Sequence, residues 1–118
     1  MLDEHKIGDK IKVSEFIKRV KQFGIGNIET TAHTFFRLSQ RQRKIYTEDS
    51  LKEIVFNETP LEIGVEKNGN CAVIYNFDKG EALLKIIISL GSNKIYIVTF
   101  YILNKKQKEN FENGKISK

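Results

Sequence analysis

The second half of the chain alternates between apolar and polar residues with the two-residue period of β-strands, and this feature constrains the fold most. The alternation begins at residues 61–65, and Asn68-Gly69, the dipeptide most typical of a tight hairpin turn, follows it. Three further strands are predicted, over residues 71–77, 82–90 and 94–103. Because the intervening turns are short, we expect a four-stranded antiparallel β-meander.

The last two strands contain the runs ALLKIIISL and KIYIVTFYIL, which are apolar on both faces over much of their length. Strands with this composition are typically central and covered on both sides. We therefore expect these two runs to be central strands of the sheet.

Three helices are predicted before the sheet. The first covers residues 14–23, with Ser14 as the N-cap, and the second covers residues 32–44. The third begins at Glu48 behind the N-cap Thr47 and ends near residue 56. Residues 27–31 are interpreted as a short connection or a weak strand. Helices that precede a sheet predict an α+β domain with the helices packed on one sheet face.

The length of 118 residues predicts a single domain, 1–118, with a core over about 13–103 and polar tails over 1–12 and 104–118. One cysteine excludes an intramolecular disulfide and a cysteine-based zinc site, and two histidines do not make a histidine-rich metal centre. We expect no metal and no cofactor. The charged N-terminus and the absence of a long apolar run predict a cytoplasmic protein without a membrane partner.

Positive charge is concentrated in two segments. The formal net charge of the chain is +5. Residues 32–44 contain four basic side chains and no acidic one, and residues 104–118 contain five lysines and two glutamates. This distribution predicts attraction to polyanions.

The segment AHTFFRLSQRQRK is the first candidate site. His33, Arg37 and Arg41 are spaced four residues apart, which would place them on nearly one face of a helix. Three of the four arginines of the chain lie between residues 37 and 43, although lysine supplies most of its positive charge. Arginine binds phosphate in a bidentate manner that lysine does not reproduce. The alternatives are a solvated helix face or pairing with carboxylates of the third helix, and for His33 a capping or packing role.

The second candidate site lies on the last two strands. Alternation predicts that Ile97, Thr99 and Tyr101 share one face, so that two hydroxyl groups point to the same side. Lys85 interrupts the apolar third strand, either as an edge lysine that extends to solvent or as a site cation. Ordinary β-propensity is the alternative explanation for the two hydroxyl residues.

Residues 29–103 resemble the small domains of the RelE/BrnT-like toxin superfamily. The resemblance rests on Thr-x-His-x₃-Arg-x₃-Arg at the second predicted helix, on the capped helix that follows, and on the closing strand YIVTFY. It implies two helices and a four-stranded antiparallel sheet, metal-independent ribonuclease activity, and a protein antitoxin as partner. The chain departs from the pattern by an additional first helix and by about two extra residues after Arg41.

The resemblance implies roles for particular residues. His33 would act as base or acid, Arg37 and Arg41 would hold the scissile phosphate, and Tyr101 would donate or orient a hydrogen bond. Because of the extra residues, either Arg41 or Arg43 occupies the second arginine position. The candidates for substrate contact are Arg43, Lys44, Lys85 and Thr99.

Three functions are therefore compared. The first is a small basic RNA-binding domain of toxin type, a candidate endoribonuclease. The second is a non-catalytic binding module for nucleic acid or for an acidic protein partner. The third is an oligomerising domain, for example a homodimer that buries the sheet face. A cleft in which phosphate-binding and stacking residues converge would favour the first.

Overall fold

A computed structural model describes residues 10–31, 34–36, 40–77 and 82–103, together with residues 106 and 109. The helices are α1 (Val13–Phe23), α2 (Gln40–Ile45) and α3 (Glu48–Asn57), and a 3₁₀ turn covers Ile25–Asn27. The strands are β1 (Lys10–Ile11), β2 (Ile28–Thr30), β3 (Glu62–Val65), β4 (Cys71–Phe77), β5 (Ala82–Leu90) and β6 (Ile95–Leu103). The domain is of the α+β class.

The strands form one mixed sheet in the order β1-β3-β4-β5-β6-β2. Strands β3 to β6 are antiparallel neighbours, whereas β2 lies parallel to β6 and β1 extends the opposite edge. The predicted four-stranded antiparallel meander is therefore too simple. Both added strands are very short and lie far from their partners in sequence, so local periodicity carries little signal for them.

Strand β2 is anchored on both sides. Glu29 binds Lys94 across the sheet edge, at 2.5 Å between the carboxylate and Nζ. Both the amide and the hydroxyl of Thr30 donate to the Glu48 carboxylate, at 3.2 and 3.0 Å. These contacts fix β2 between β6 and the start of α3, and they show that the weak-strand interpretation of residues 27–31 is the correct one.

Helices α1 and α3 lie close to their predicted positions. Helix α1 begins at Val13 with Lys12 as the N-cap, so the predicted N-cap Ser14 lies inside the helix. The helix ends at Phe23, and its C-cap Gly24 has a φ of +84°, which favours glycine. Helix α3 begins behind Thr47 as predicted. The Thr47 and Ser50 side chains each accept a hydrogen bond from the other's backbone amide, which forms a capping box.

The predicted continuous helix over residues 32–44 is wrong. Residues 34–36 form a turn, and α2 covers Gln40–Ile45. The buried Thr34 hydroxyl donates to the Ile97 carbonyl at 2.6 Å and accepts from the Thr31 amide at 2.9 Å. These bonds tie the chain to β6 directly after β2, where a helix was expected to begin.

The main core is a cluster that α1 and α3 form with the sheet. Packing of all the helices on one sheet face stays a prediction. Phe16 and Val20 from α1 and Leu51 and Val55 from α3 are buried in one cluster with the sheet. Their sheet partners are Ile28, Ile63, Cys71, Val73, Tyr75, Leu84, Ile86, Ile88, Ile95, Ile97 and Phe100. Burial of this apolar surface is the main stabilising contribution to the fold.

A β-bulge changes the alternation within β6. Ile88 pairs with Ile97, but the preceding residue, Ile87, pairs with Thr99, so that Val98 is the extra residue. Ile97 therefore joins the core, and its predicted place on one face with Thr99 and Tyr101 is wrong. Thr99 and Tyr101 do share a face.

The face opposite the main core is only partly apolar. Ile74, Leu83 and Ile87 are buried there, whereas Lys85 and Tyr101 occupy neighbouring positions on the same face. This mixture of buried apolar and polar side chains distinguishes the second face from the core face.

The predicted tails are described only in part. Residues 10–11 belong to β1, so the N-terminal tail does not extend to residue 12 as predicted. Lys106 and Glu109 are helical and exposed. The rest of both tails lies outside the described residues. Within the described ranges, no helix is long and apolar enough to span a membrane.

Candidate functional site

A groove of about 710 Å³ follows the second half of β6. Its walls come from the bulged strand itself, from β5, from the β3–β4 hairpin and from α2. The described residues that line it are Gln42, Tyr46, Glu66, Asn68, Asn70, Lys85, Ile87, Val98, Thr99, Phe100, Tyr101, Ile102 and Leu103. Hydrogen-bonding side chains are thus distributed along a partly apolar floor, as is typical of ligand-binding clefts.

Lys85, Thr99 and Tyr101 meet on one wall of this groove. Lys85 and Tyr101 are directly opposite each other in the β5–β6 pairing, and Thr99 lies two residues before Tyr101 on the same face. The Lys85 ammonium nitrogen lies 6.0 Å from the centroid of the Tyr101 ring. Tyr101 is 41% exposed although it belongs to a strand. A cation and an accessible aromatic ring are therefore presented together.

The hairpin loop between β3 and β4 forms a second wall. The Glu66 amide donates to the Asn70 carbonyl at 2.8 Å, and the Gly69 amide donates to the Glu66 carbonyl at 2.9 Å. The Asn70 amide donates to Oδ1 of Asn68 at 2.9 Å, which orients the Asn68 side chain. Gly69 adopts a φ of +90°, which favours glycine. The loop is internally fixed.

Helix α2 reaches the groove through Gln42 and the adjoining Tyr46. The Tyr46 ring packs against Phe100 and Phe77, with centroid distances of 5.4 and 5.8 Å. Phe35 from the preceding turn packs against Phe100 at 6.1 Å. These aromatic contacts hold the turn and α2 beside β6.

The described residues include only part of the predicted site. His33 and Arg37 lie outside the described residues, as does the side chain of Arg41, whose backbone belongs to α2. Residues 34–36 form a turn where the continuous helix was expected. The prediction that these three side chains share one face stays a prediction.

The two remaining basic candidates lie on α2. Arg43 and Lys44 are exposed, and neither is among the described residues that line the groove. One guanidinium nitrogen of Arg43 donates a long hydrogen bond of 3.4 Å to the Phe36 carbonyl. The structure therefore brings together Lys85, Thr99 and Tyr101, and places Arg43 and Lys44 on the adjoining helix.

Sequence reasoning missed the polar residues of the hairpin and of α2. The sequence marks Asn68 as a turn residue, and it carries no comparable mark at Glu66, Asn70 or Gln42. The signal that could have indicated them is the run of polar residues between β3 and β4. A loop that joins two strands lies beside the sheet surface and often carries binding residues.

The described lining residues of the groove include one charge of each sign. Among its described lining residues, Lys85 is the only basic one and Glu66 the only acidic one. Burial raises the pKa of the Cys71 thiol, the Arg19 charge opposes this rise, and the Glu66 carboxylate adds to it. Glu66 belongs to the hairpin that leads into β4, where its amide donates to the Asn70 carbonyl.

Two further observations complete the description of the site. Within the described residues, no group of three or more histidine, cysteine or acidic side chains is placed to hold a metal ion. Comparisons of the chain with protein-family models, curated proteins and solved structures found no match.

Proposed function

We propose that the protein binds single-stranded RNA in the groove along β6. In this proposal a base stacks on the exposed ring of Tyr101, and the neighbouring phosphate binds the Lys85 ammonium group. The observation that carries the proposal is the pairing of these two residues, 6.0 Å apart between nitrogen and ring centroid, on one wall of the groove. Proteins bind unpaired nucleotides through such combinations of aromatic rings and cations.

The position of the positive segments supports the same proposal. Helix α2 contributes Gln42 to the groove and carries the exposed Arg43 and Lys44 beside it. Leu103 lines the groove at the end of β6, and the net-positive segment 104–118 follows it directly in sequence. A strand longer than one nucleotide would therefore meet positive charge on α2, and the net-positive sequence after β6 adds to the attraction of the chain for a polyanion.

Ribonuclease activity is a second proposal, and it comes from the resemblance to RelE/BrnT-like toxins. Of the four residues to which the resemblance gives catalytic roles, Tyr101 lies in the groove, and its exposed position suits contact with RNA. The roles of His33, Arg37 and Arg41, an antitoxin partner and a homodimer stay predictions.

Equilibrium binding tests the first proposal. We expect a fluorescein-labelled uridine hexanucleotide to bind the wild-type protein in an anisotropy titration, and the double variant Lys85→Ala/Tyr101→Ala to bind at least tenfold more weakly. The matched control, Lys18→Ala/Phe36→Ala, removes a cation from α1 and an exposed aromatic ring from the 34–36 turn. Equal affinities of the two double variants would contradict the proposal.

Cleavage is tested separately. The same RNA is incubated with the protein in excess chelator and resolved on a denaturing gel. Products that disappear with His33→Ala would support the ribonuclease proposal, whereas intact RNA in the presence of measurable binding would leave a non-catalytic binding module.

A further inference from the structure

We propose that the hairpin loop of Glu66–Asn70 selects guanine in the RNA bound in the groove. This inference rests on the proposed RNA-binding function and adds base specificity to it. It concerns the second wall of the groove, whereas Lys85 and Tyr101 belong to the first.

The position of Glu66 is the first reason. A carboxylate in a groove for a polyanion repels phosphate, so it opposes binding unless it faces hydrogen-bond donors. Glu66 is the only acidic residue among the described lining residues of this groove. An ionised carboxylate is purely an acceptor, and its two oxygens suit a ligand that offers two adjacent N–H groups.

Guanine is the base that offers this pair. Its Watson–Crick edge presents N1–H and the 2-amino group side by side, and both can donate to one carboxylate. Adenine, cytosine and uracil each place an acceptor beside their donor, and that acceptor would face a carboxylate oxygen unfavourably. A carboxylate at this wall therefore discriminates among the four bases by hydrogen bonding.

Asn68 supplies the complementary group. Its Oδ1 atom accepts from the Asn70 amide at 2.9 Å, which assigns the other end of the side chain as the NH₂ donor. Guanine O6 is adjacent to N1–H and accepts hydrogen bonds. The Glu66 carboxylate would accept from N1–H and the 2-amino group of guanine, and the Asn68 NH₂ group would donate to O6.

The loop is fixed before any ligand binds. Backbone hydrogen bonds of 2.8 and 2.9 Å close the loop across residues 66–70, and Gly69 with its φ of +90° allows the turn. A fixed loop loses little conformational entropy on binding, so its hydrogen bonds contribute more fully to selectivity.

The test uses uridine hexanucleotides with a single guanosine, adenosine, cytidine or inosine at the third position, each titrated by anisotropy. We expect the guanosine oligomer to bind about tenfold more tightly than the all-uridine one, the size of a good bidentate base contact. Inosine lacks the 2-amino group and should lose most of this advantage on the unmodified protein. Glu66→Gln should reduce the guanosine-to-uridine affinity ratio to about one.

Glu15→Gln, the same charge change on the exposed first turn of α1, is the matched control and should keep the ratio of the wild type. Equal binding of all five oligomers would overturn guanine selection and leave RNA binding in place. Absence of binding by every oligomer would overturn both proposals. A guanosine preference that survives Glu66→Gln would overturn the role of Glu66.

Discussion

Lys85 on β5 and Tyr101 on β6 lie directly opposite each other, and the Lys85 ammonium nitrogen lies 6.0 Å from the centroid of the Tyr101 ring. Their strand neighbours Leu84 and Phe100 point into the main core, so the backbone that carries the pair is held rigidly. The pair is therefore a preformed feature of the sheet, and its side chains can change without disturbing the core.

Tyr101 is expected to contribute by stacking. Tyr101→Ala should weaken the binding of a uridine hexanucleotide by about tenfold, because base stacking on an aromatic ring contributes about 1–3 kcal/mol. Tyr101→Phe keeps the ring and should stay within about threefold of the wild type. Anisotropy titrations measure both. A Phe variant as weak as the Ala variant would show that the hydroxyl group matters and that stacking does not.

Lys85 is expected to contribute one phosphate contact. The logarithm of the association constant should fall with the logarithm of the salt concentration, and Lys85→Ala should reduce that slope by about one. Lys18→Ala, on the exposed surface of α1, should leave the slope unchanged. Affinity that does not vary between low and physiological salt would contradict the electrostatic part of the proposal.

Thr34 is expected to stabilise the fold through its buried hydroxyl. Thr34→Val removes the donor to the Ile97 carbonyl and the acceptor of the Thr31 amide, so the free energy of unfolding should fall by about 1–3 kcal/mol. Urea denaturation checks this, with Thr59→Val at an exposed loop position as the control. A change below about 0.5 kcal/mol would contradict the role of Thr34 as the anchor of the turn.

Loss of the Tyr75 hydroxyl, unlike loss of the Thr34 hydroxyl, is not expected to lower the free energy of unfolding. Its hydroxyl is buried and has no hydrogen-bond partner within the described part of the chain, so Tyr75→Phe should leave stability at neutral pH unchanged or raise it. A loss above about 1 kcal/mol would reveal a partner for the hydroxyl.

The same residue predicts a pH dependence. Burial, and to a smaller extent the Glu58 carboxylate, raise the pKa of Tyr75. The unfolded chain ionises near pH 10, whereas the folded protein keeps the proton, so stability falls as the pH rises above about 10. Denaturation at several alkaline pH values should show a smaller decrease for Tyr75→Phe than for Tyr96→Phe. Equal decreases would contradict the assignment to Tyr75.

Much of the sheet could be predicted because it depends on local pattern. Strands β4 and β5 begin and end where alternation and turn residues place them, and the Thr47 cap marks the start of α3. The local sequence does not determine strand β2, because β2 is stabilised by β6 and Glu48, which are distant in sequence. The second helix is present over Gln40–Ile45, whereas Thr34, which was expected to be helical, belongs to a turn and makes tertiary hydrogen bonds instead.

The candidate site was predictable residue by residue but not as an arrangement. The sequence indicates Lys85 as a candidate because this residue interrupts an apolar strand. It indicates Thr99 and Tyr101 because two hydroxyl residues two positions apart in a strand share a face. That Lys85 faces Tyr101 depends on strand register, and that Ile97 leaves their face depends on the Val98 bulge. Neither the register nor the bulge has a marker in the sequence.

Chemical-shift mapping tests the central claim most directly. The ¹⁵N-labelled protein is titrated with the uridine hexanucleotide, and the amide shifts are followed residue by residue. We predict saturable changes concentrated at residues 66–70, 83–87 and 98–103, with α1 unaffected. Changes confined to α1 and α3, or no change at an RNA concentration that saturates anisotropy, would contradict RNA binding in the groove.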